Sequence, residues 1–80
     1  MQLKPKTAEE ISYKFKSPKK MLLFCAQVGS LEGVKFALNN GANINDRNGY
    51  RETALMIAYC FNQEEVVKFL LKNGANPRYK

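Results

Sequence analysis

The 80-residue sequence contains no histidine, and its two cysteines, Cys25 and Cys60, lie far apart in the chain. Tetrahedral zinc sites draw on clustered thiolates and imidazoles, so the usual ligand sets have no material here, and the cysteine spacing fits neither a metal nor a redox motif. Both read as free thiols. No apolar run approaches the roughly 18 residues that a membrane-crossing helix needs. The start, Met1-Gln-Leu-Lys-Pro-Lys6, lacks the apolar centre of a signal peptide, and an intracellular, cytoplasmic placement is the expectation. Catalysis is equally short of means: there is no imidazole base and no glycine-rich phosphate loop, and the carboxylates are scattered over what read as helix surfaces. No enzyme activity, cofactor, metal or small-molecule substrate is expected.

Proline and glycine are also sparse, three and five residues, while 45% of the chain is apolar. That balance belongs to a folded globular chain and not to a disordered or fibrous one. Eighty residues allow one domain, which buries only somewhat over about 60% of the surface that its unfolded form exposes.

The net charge of +6 is unevenly placed. Residues 1–20 carry Lys4, Lys6, Lys14, Lys16, Lys19 and Lys20 against Glu9 and Glu10. Such a leader can touch nucleic acid or another polyanion, although no aromatic or glycine-rich nucleic-acid motif accompanies it, and a solvated lysine-rich segment is the plainer reading. Within it, Thr7-Ala-Glu-Glu10 has the form of a capping box, and Ile11 and Phe15 share a face at i, i+4. A short capping or docking helix over residues 8–16 is the corresponding expectation.

The remainder is built on two copies of one helix hairpin. In the second copy Thr53 is an N-cap for a helix of about two turns that ends near Asn62; Glu64 and Glu65 then open a second helix that runs to Asn73 and stops at Gly74. On a helical wheel Val66, Val67, Phe69, Leu70 and Leu71 span roughly 200°, an arc too wide for one neighbour to cover. The first copy has Ser17-Pro18 as its start signal, a helix from Pro18 to Val28, a break at Gly29-Ser30, and a helix from Leu31 to Asn40 that ends at Gly41. A shift of 33 residues superimposes ten identities: Leu22 on Leu55, Glu32 on Glu65, Val34-Lys-Phe36 on Val67-Lys-Phe69, Leu38 on Leu71, and Asn40-Gly-Ala-Asn43 on Asn73-Gly-Ala-Asn76. A fixed period of this length with a helix pair per unit predicts a solenoid whose core runs continuously between neighbours. Residues 41–52 between the copies are dense in Gly, Asn and Asp and predict an extended loop, with Ile44 pinning it to the stack and a tight turn at Asn48-Gly49.

These units resemble ankyrin repeats, 33-residue modules in which a β-turn loop leads into two antiparallel helices. The resemblance covers residues 20–80. Thr53-Ala-Leu-Met-Ile-Ala58 stands where the family has Thr-Pro-Leu-His-x-Ala, Glu65-Val-Val-Lys68 matches its second-helix core, and Asn73-Gly-Ala-Asn76 is similar to its Gly-Ala-Asp ending. Met56 replaces the histidine, Ala54 the proline, Asn62 the inter-helix glycine and Arg51 the glycine before Thr53. The last two positions call for left-handed backbone, which asparagine adopts at small cost and arginine poorly. Lys20-Met-Leu-Leu23 lacks the threonine motif and Gly33 replaces a core valine, as in a degenerate first repeat. The resemblance implies an all-α ankyrin-type solenoid of stacked helix-turn-helix repeats with extended inter-repeat loops. The organisation it implies is a lysine-rich leader at 1–17, a degenerate first repeat at 18–46 and a second repeat at 47–80.

It further implies a non-catalytic protein-binding scaffold that uses its loop tips and the concave face of its first helices. Carried over by position, the contact candidates are Lys19, Gln27, Val28, Tyr50, Glu52, Cys60 and Phe61. Tyr50, an aromatic at a polar loop tip with little packing to do, is the strongest anchor. Phe61 has a plainer reading as a packed ring beside Tyr59, Cys60 as a small hydrophobe, and Lys19 and Gln27 as solvated side chains. Arrays of this kind commonly need about three units, so Val66, Phe69 and Leu70 of the last copy are expected to face outward and be covered by further repeats, a second copy or a partner. Finally, Leu38-Asn-Asn-Gly-Ala-Asn-Ile-Asn45 resembles the stretch that asparaginyl hydroxylases modify in animal ankyrin proteins, with Asn45 in the target position. The same asparagine has an ordinary role in closing its own loop by side-chain to backbone hydrogen bonds. If the leader binds polyanions, heparin or RNA retention will fall steeply between about 50 and 200 mM salt and vanish in a chain that begins at Pro18; retention that survives the deletion would assign it to the helices.

Overall fold

The structure, a computed structural model, describes residues 17–77; the capping-box segment and the helix expected over 8–16 lie outside them. Four helices follow one another: α1 (Pro18–Val28), α2 (Leu31–Asn39), α3 (Ala54–Cys60) and α4 (Glu64–Lys72). α1 packs on α2 and α3 on α4 as two hairpins, and the hairpins stack with α1 against α3 and α2 against α4.

The first three helices each begin where a side chain takes up a free N–H of the first turn. Ser17 Oγ accepts from the Lys20 amide at 3.4 Å with Pro18 as the first helical residue, Ser30 Oγ accepts from Gly33 at 3.1 Å, and Thr53 Oγ1 accepts from Met56 at 3.3 Å. α4 has no such cap: its preceding residue is Gln63, whose side chain is used elsewhere. Glu64 and Glu65 in its first turn and Lys72 in its last match the helix dipole instead. The second helices end alike. Asn40 Nδ2 donates to Phe36 O at 2.7 Å and Asn73 Nδ2 to Phe69 O at 2.8 Å, and each is followed by a glycine in left-handed backbone, Gly41 at φ 104° and Gly74 at φ 95°.

One core serves both hairpins. Leu22, Leu55, Leu70, Val34, Val66 and Cys25 are its largest fully buried side chains, and Ile44 from the loop packs against it as expected. Burying an aliphatic side chain of this size stabilises by about 1.5–3 kcal/mol. Leu22 and Leu55 are register equivalents, so the same position is fully buried in both units.

The outward face of the last helix differs from the sequence expectation. Val66 and Leu70 are 1% and 0% exposed and lie inside the core, so neither offers a surface for association. Phe69 is half-buried, with the Lys35 ammonium 5.4 Å from its ring centroid, a cation–π contact that covers it from α2. The wheel gave the width of the stripe; the stack decided which half of it is sealed. The exposed large apolar side chains of the second hairpin are Tyr59, Phe61 and Leu71.

Gly33 is where the first unit departs most from the second, which has Val66 at that register. A Cβ on Gly33 would overlap Cys25 Sγ and lie 3.1 Å from Cys25 Cβ, so the thiol occupies the space that a valine fills in the other copy. Gly33→Ala will lower stability by about 1–3 kcal/mol through overpacking, measured by urea unfolding, and Cys25→Ala in the same chain will recover part of that loss. A fully tolerated Gly33→Ala would show that the two helices are free to separate there.

Candidate functional site

The loop of residues 41–52 carries the most exposed aromatic of the described residues, and its geometry follows from one asparagine. Asn48 Oδ1 accepts from the amides of Tyr50 at 2.8 Å and Glu52 at 2.9 Å, while its Nδ2 donates to Glu52 Oε1 at 2.9 Å. The main chain closes around it: Asn48 N–H donates to Glu52 O and Arg51 N–H to Asn48 O, both at 3.0 Å, and Arg47 bridges Thr53 in antiparallel register. Gly49 and Tyr50 therefore occupy the centre of the turn, one residue later than the Asn48-Gly49 tip expected from sequence. Arg51 follows in left-handed backbone at φ 65°, the third position of a three-residue hairpin loop. An arginine is a poor occupant of that region. The five hydrogen bonds centred on Asn48 hold it there.

Tyr50 stands at the tip, 87% exposed. Glu52 is half-buried, and its carboxylate is committed to Asn48, so of the two loop candidates one is open to solvent and the other braces the loop. At the far end of α3, about 10 Å from its start at 1.5 Å per residue, Cys60 and Phe61 are exposed, as are Gln27 and Val28 at the equivalent end of α1. Because α1 and α3 pack together, these four form one strip across the stack. Lys19 is exposed in the first turn of α1, at the opposite end from the strip; Lys4, Lys6, Lys14 and Lys16 lie outside the described residues.

The strip is tied across the units. Gln63 Nε2 donates to Gln27 O at 2.9 Å, and a Cβ on Gly29, at φ 82°, would collide with the Gln63 side chain. At the other end Asn45 Oδ1 accepts from the Asn76 amide at 2.9 Å. Asn45 thus joins its loop to the next one; within its own loop, the closing acceptors are Asn43 Oδ1, for the Asn45 amide at 2.8 Å, and Asp46 Oδ2, for the Asn43 amide at 3.1 Å.

Both cysteines are free thiols, and burial pushes the Cys25 thiol up from 9.0 to about 11, which keeps it neutral at physiological pH and poorly nucleophilic. Among the described residues no group of His, Cys, Asp or Glu is placed to hold a metal ion, and no helix is long and apolar enough to cross a membrane. Sequence reasoning missed Asn48 as the organiser of the loop; the asparagine two residues before an exposed tyrosine was its available sign.

A family model for ankyrin repeats in three copies matches residues 4–80. The chain belongs to the ankyrin repeat family. The match takes in residues 4–16, set apart above as a leader. Among similar curated proteins, the E3 ubiquitin-protein ligase hecd-1 of Caenorhabditis elegans is 41% identical over 49 residues, 61% of this chain and 2% of its own length. Ankyrin repeat protein R664 of Acanthamoeba polyphaga mimivirus is 46% identical over 46 residues, 58% of this chain and 28% of its own. The E3 ubiquitin-protein ligase Ufd4 of Drosophila melanogaster is 37% identical over 57 residues, 71% of this chain and 2% of its own. The chain thus spans a small part of each, the repeat region alone. Ankyrin repeats are generally protein-interaction modules, and two such helix hairpins make up the described residues.

Asn48→Ala removes acceptors for two amides and will cost about 1–2 kcal/mol. Hydrogen exchange at the Tyr50 and Glu52 amides will accelerate at least about tenfold while the amides of α1 keep their protection. Unchanged exchange at those two positions would mean the loop is held by its main-chain bonds alone.

Proposed function

We propose that this ankyrin chain is a non-catalytic, intracellular protein-binding module that grips its partner with Tyr50 at the loop tip and the strip of Val28, Cys60 and Phe61. Gln27 and Lys19 add polar contacts at the margins, and Glu52 acts indirectly by fixing the loop. The carrying observation is Tyr50: an aromatic 87% exposed on a turn pinned by the bonds around Asn48. An ordered aromatic loses little entropy on binding and buries a large area, which is why tyrosine is enriched among residues that dominate interface energy. Val28 and Phe61, half-exposed at equivalent register at the far ends of α1 and α3, offer a second apolar contact apart from the loop tip. The Gln63–Gln27 tie beside the strip keeps the spacing of Val28, Cys60 and Phe61 fixed before binding, and preorganisation of this kind raises affinity.

Capture from a native lysate with wild-type chain, Tyr50→Ala, Phe61→Ser and Glu65→Ala tests the reading. The partner recovered by wild type will be lost or weakened at least about tenfold, equivalent to about 1.4 kcal/mol, with Tyr50→Ala and Phe61→Ser, and retained with Glu65→Ala. Equal recovery by all four chains refutes it.

A further inference from the structure

The chain contains three Asn-Gly pairs, Asn40-Gly41, Asn48-Gly49 and Asn73-Gly74. In such a pair the glycine has no side chain to shield its main-chain nitrogen, which can add to the carboxamide carbon of the asparagine and expel its amide without any enzyme. The structure separates the three. Asn40 and Asn73 close α2 and α4: their Nδ2 atoms donate to Phe36 O at 2.7 Å and Phe69 O at 2.8 Å, and the glycine amides after them donate to Leu38 O at 3.2 Å and Leu71 O at 3.3 Å. Leaving group and nucleophile are both held by the helix end, so reaction there requires the last turn to open first.

At Asn48 the bonds are arranged the other way. Gly49 is exposed, and its N–H donates to no group among the described residues. Asn48 Oδ1 accepts from the amides of Tyr50 at 2.8 Å and Glu52 at 2.9 Å. Both donors polarise the carboxamide and point at the oxygen on which negative charge develops when its carbon is attacked. Nδ2 donates to Glu52 Oε1 at 2.9 Å, which places a carboxylate to relay a proton to the departing nitrogen.

We propose that Asn48 is a self-modification site, at which the loop converts its own organising asparagine to aspartate or isoaspartate with water as co-reactant. Gly49 N bonds to Asn48 Cγ, the Cγ–Nδ2 bond breaks, and the proton given up by Gly49 N is balanced by the one that Nδ2 gains on leaving as ammonia. Water then opens the cyclic imide. Opening at Cγ gives aspartate; opening at the Asn48 main-chain carbonyl gives isoaspartate, with the main chain rerouted through the side chain. Either product removes the donor that faced Glu52 and adds a negative charge beside its carboxylate. The turn loses its brace and Tyr50 its fixed position, so the loop has a chemical lifetime. The consequence for binding rests on the reading of Tyr50 as an anchor; the reaction itself does not.

Ageing the full chain at neutral pH, folded in buffer and unfolded in guanidinium chloride, with peptide mass mapping of the three asparagines, tests this directly. In the folded chain Asn48 will convert at least about tenfold faster than Asn40 or Asn73, the ratio produced by an opening cost of about 1.4 kcal/mol at the helix ends. In the unfolded chain the three rates will converge, with Asn48 no faster than when folded. Gly49→Ala, whose added methyl meets nothing within 4 Å, will keep the fold and slow Asn48 at least about fivefold by crowding the nucleophile. The converted fraction will show the same accelerated exchange at the Tyr50 and Glu52 amides as Asn48→Ala. An Asn48 that fails to outpace Asn40 and Asn73 in the folded chain, or that reacts faster unfolded than folded, overturns the proposal, because its hydrogen bonds would then be protecting the amide. So does an Asn48 rate indifferent to Gly49→Ala, which would exclude attack by the glycine nitrogen.

Discussion

The apolar seam between the two hairpins is the contact on which the rest of the structure depends. α3 is only seven residues long and α4 nine, lengths at which an isolated helix is marginal in water. Their persistence comes from burial against a neighbour that has the same shape. Leu22 and Leu55, 33 residues apart, are both fully buried in the shared core, and α1 packs against α3. Repetition is therefore a mechanical requirement: each hairpin supplies the surface that lets the next one fold.

Two polar ties hold the register of that seam at opposite ends. Gln63 reaches from the turn of the second unit to the Gln27 carbonyl, and Asn45 receives the Asn76 amide. Each contributes about 0.5–1.5 kcal/mol at most, well below the apolar burial between them. They matter by direction, because hydrophobic contact tolerates sliding and a hydrogen bond does not. Gly29 is part of the first tie, since its left-handed backbone and missing side chain leave room for the glutamine. The surface strip of Val28, Cys60 and Phe61 lies beside the first of these bonds and inherits its spacing from it.

The loop of residues 41–52 works on a different principle. It buries little beyond Ile44 and Ala42 and is shaped by short polar side chains bonding nearby backbone, which lets it carry Tyr50 into solvent without losing order. Asn48 also keeps Arg51 in backbone that a side chain seldom adopts. Local strain at the tip is compensated by hydrogen bonds, a common arrangement at recognition loops.

The sequence alone determined the helices, the period and the family, because these rest on local signals: Ser17-Pro18, Ser30 and Thr53 cap where they stand, the glycines at 41 and 74 stop what precedes them, and ten identities at one offset leave a single repeat length. It also marked Tyr50 as exposed, since nothing apolar surrounds it in the loop. Tertiary structure alone decided what a helical wheel leaves undetermined. Val66 and Leu70 lie within the same apolar arc as Leu71, and only the side from which α3 and the first hairpin approach buries the first two and leaves the third bare. The same holds for Asn45, whose partner lies 31 residues away, and for Gly33, whose missing side chain is filled by Cys25 from a different helix. Periodicity reports how much of a helix must be covered; the direction of the cover is a property of the packed whole.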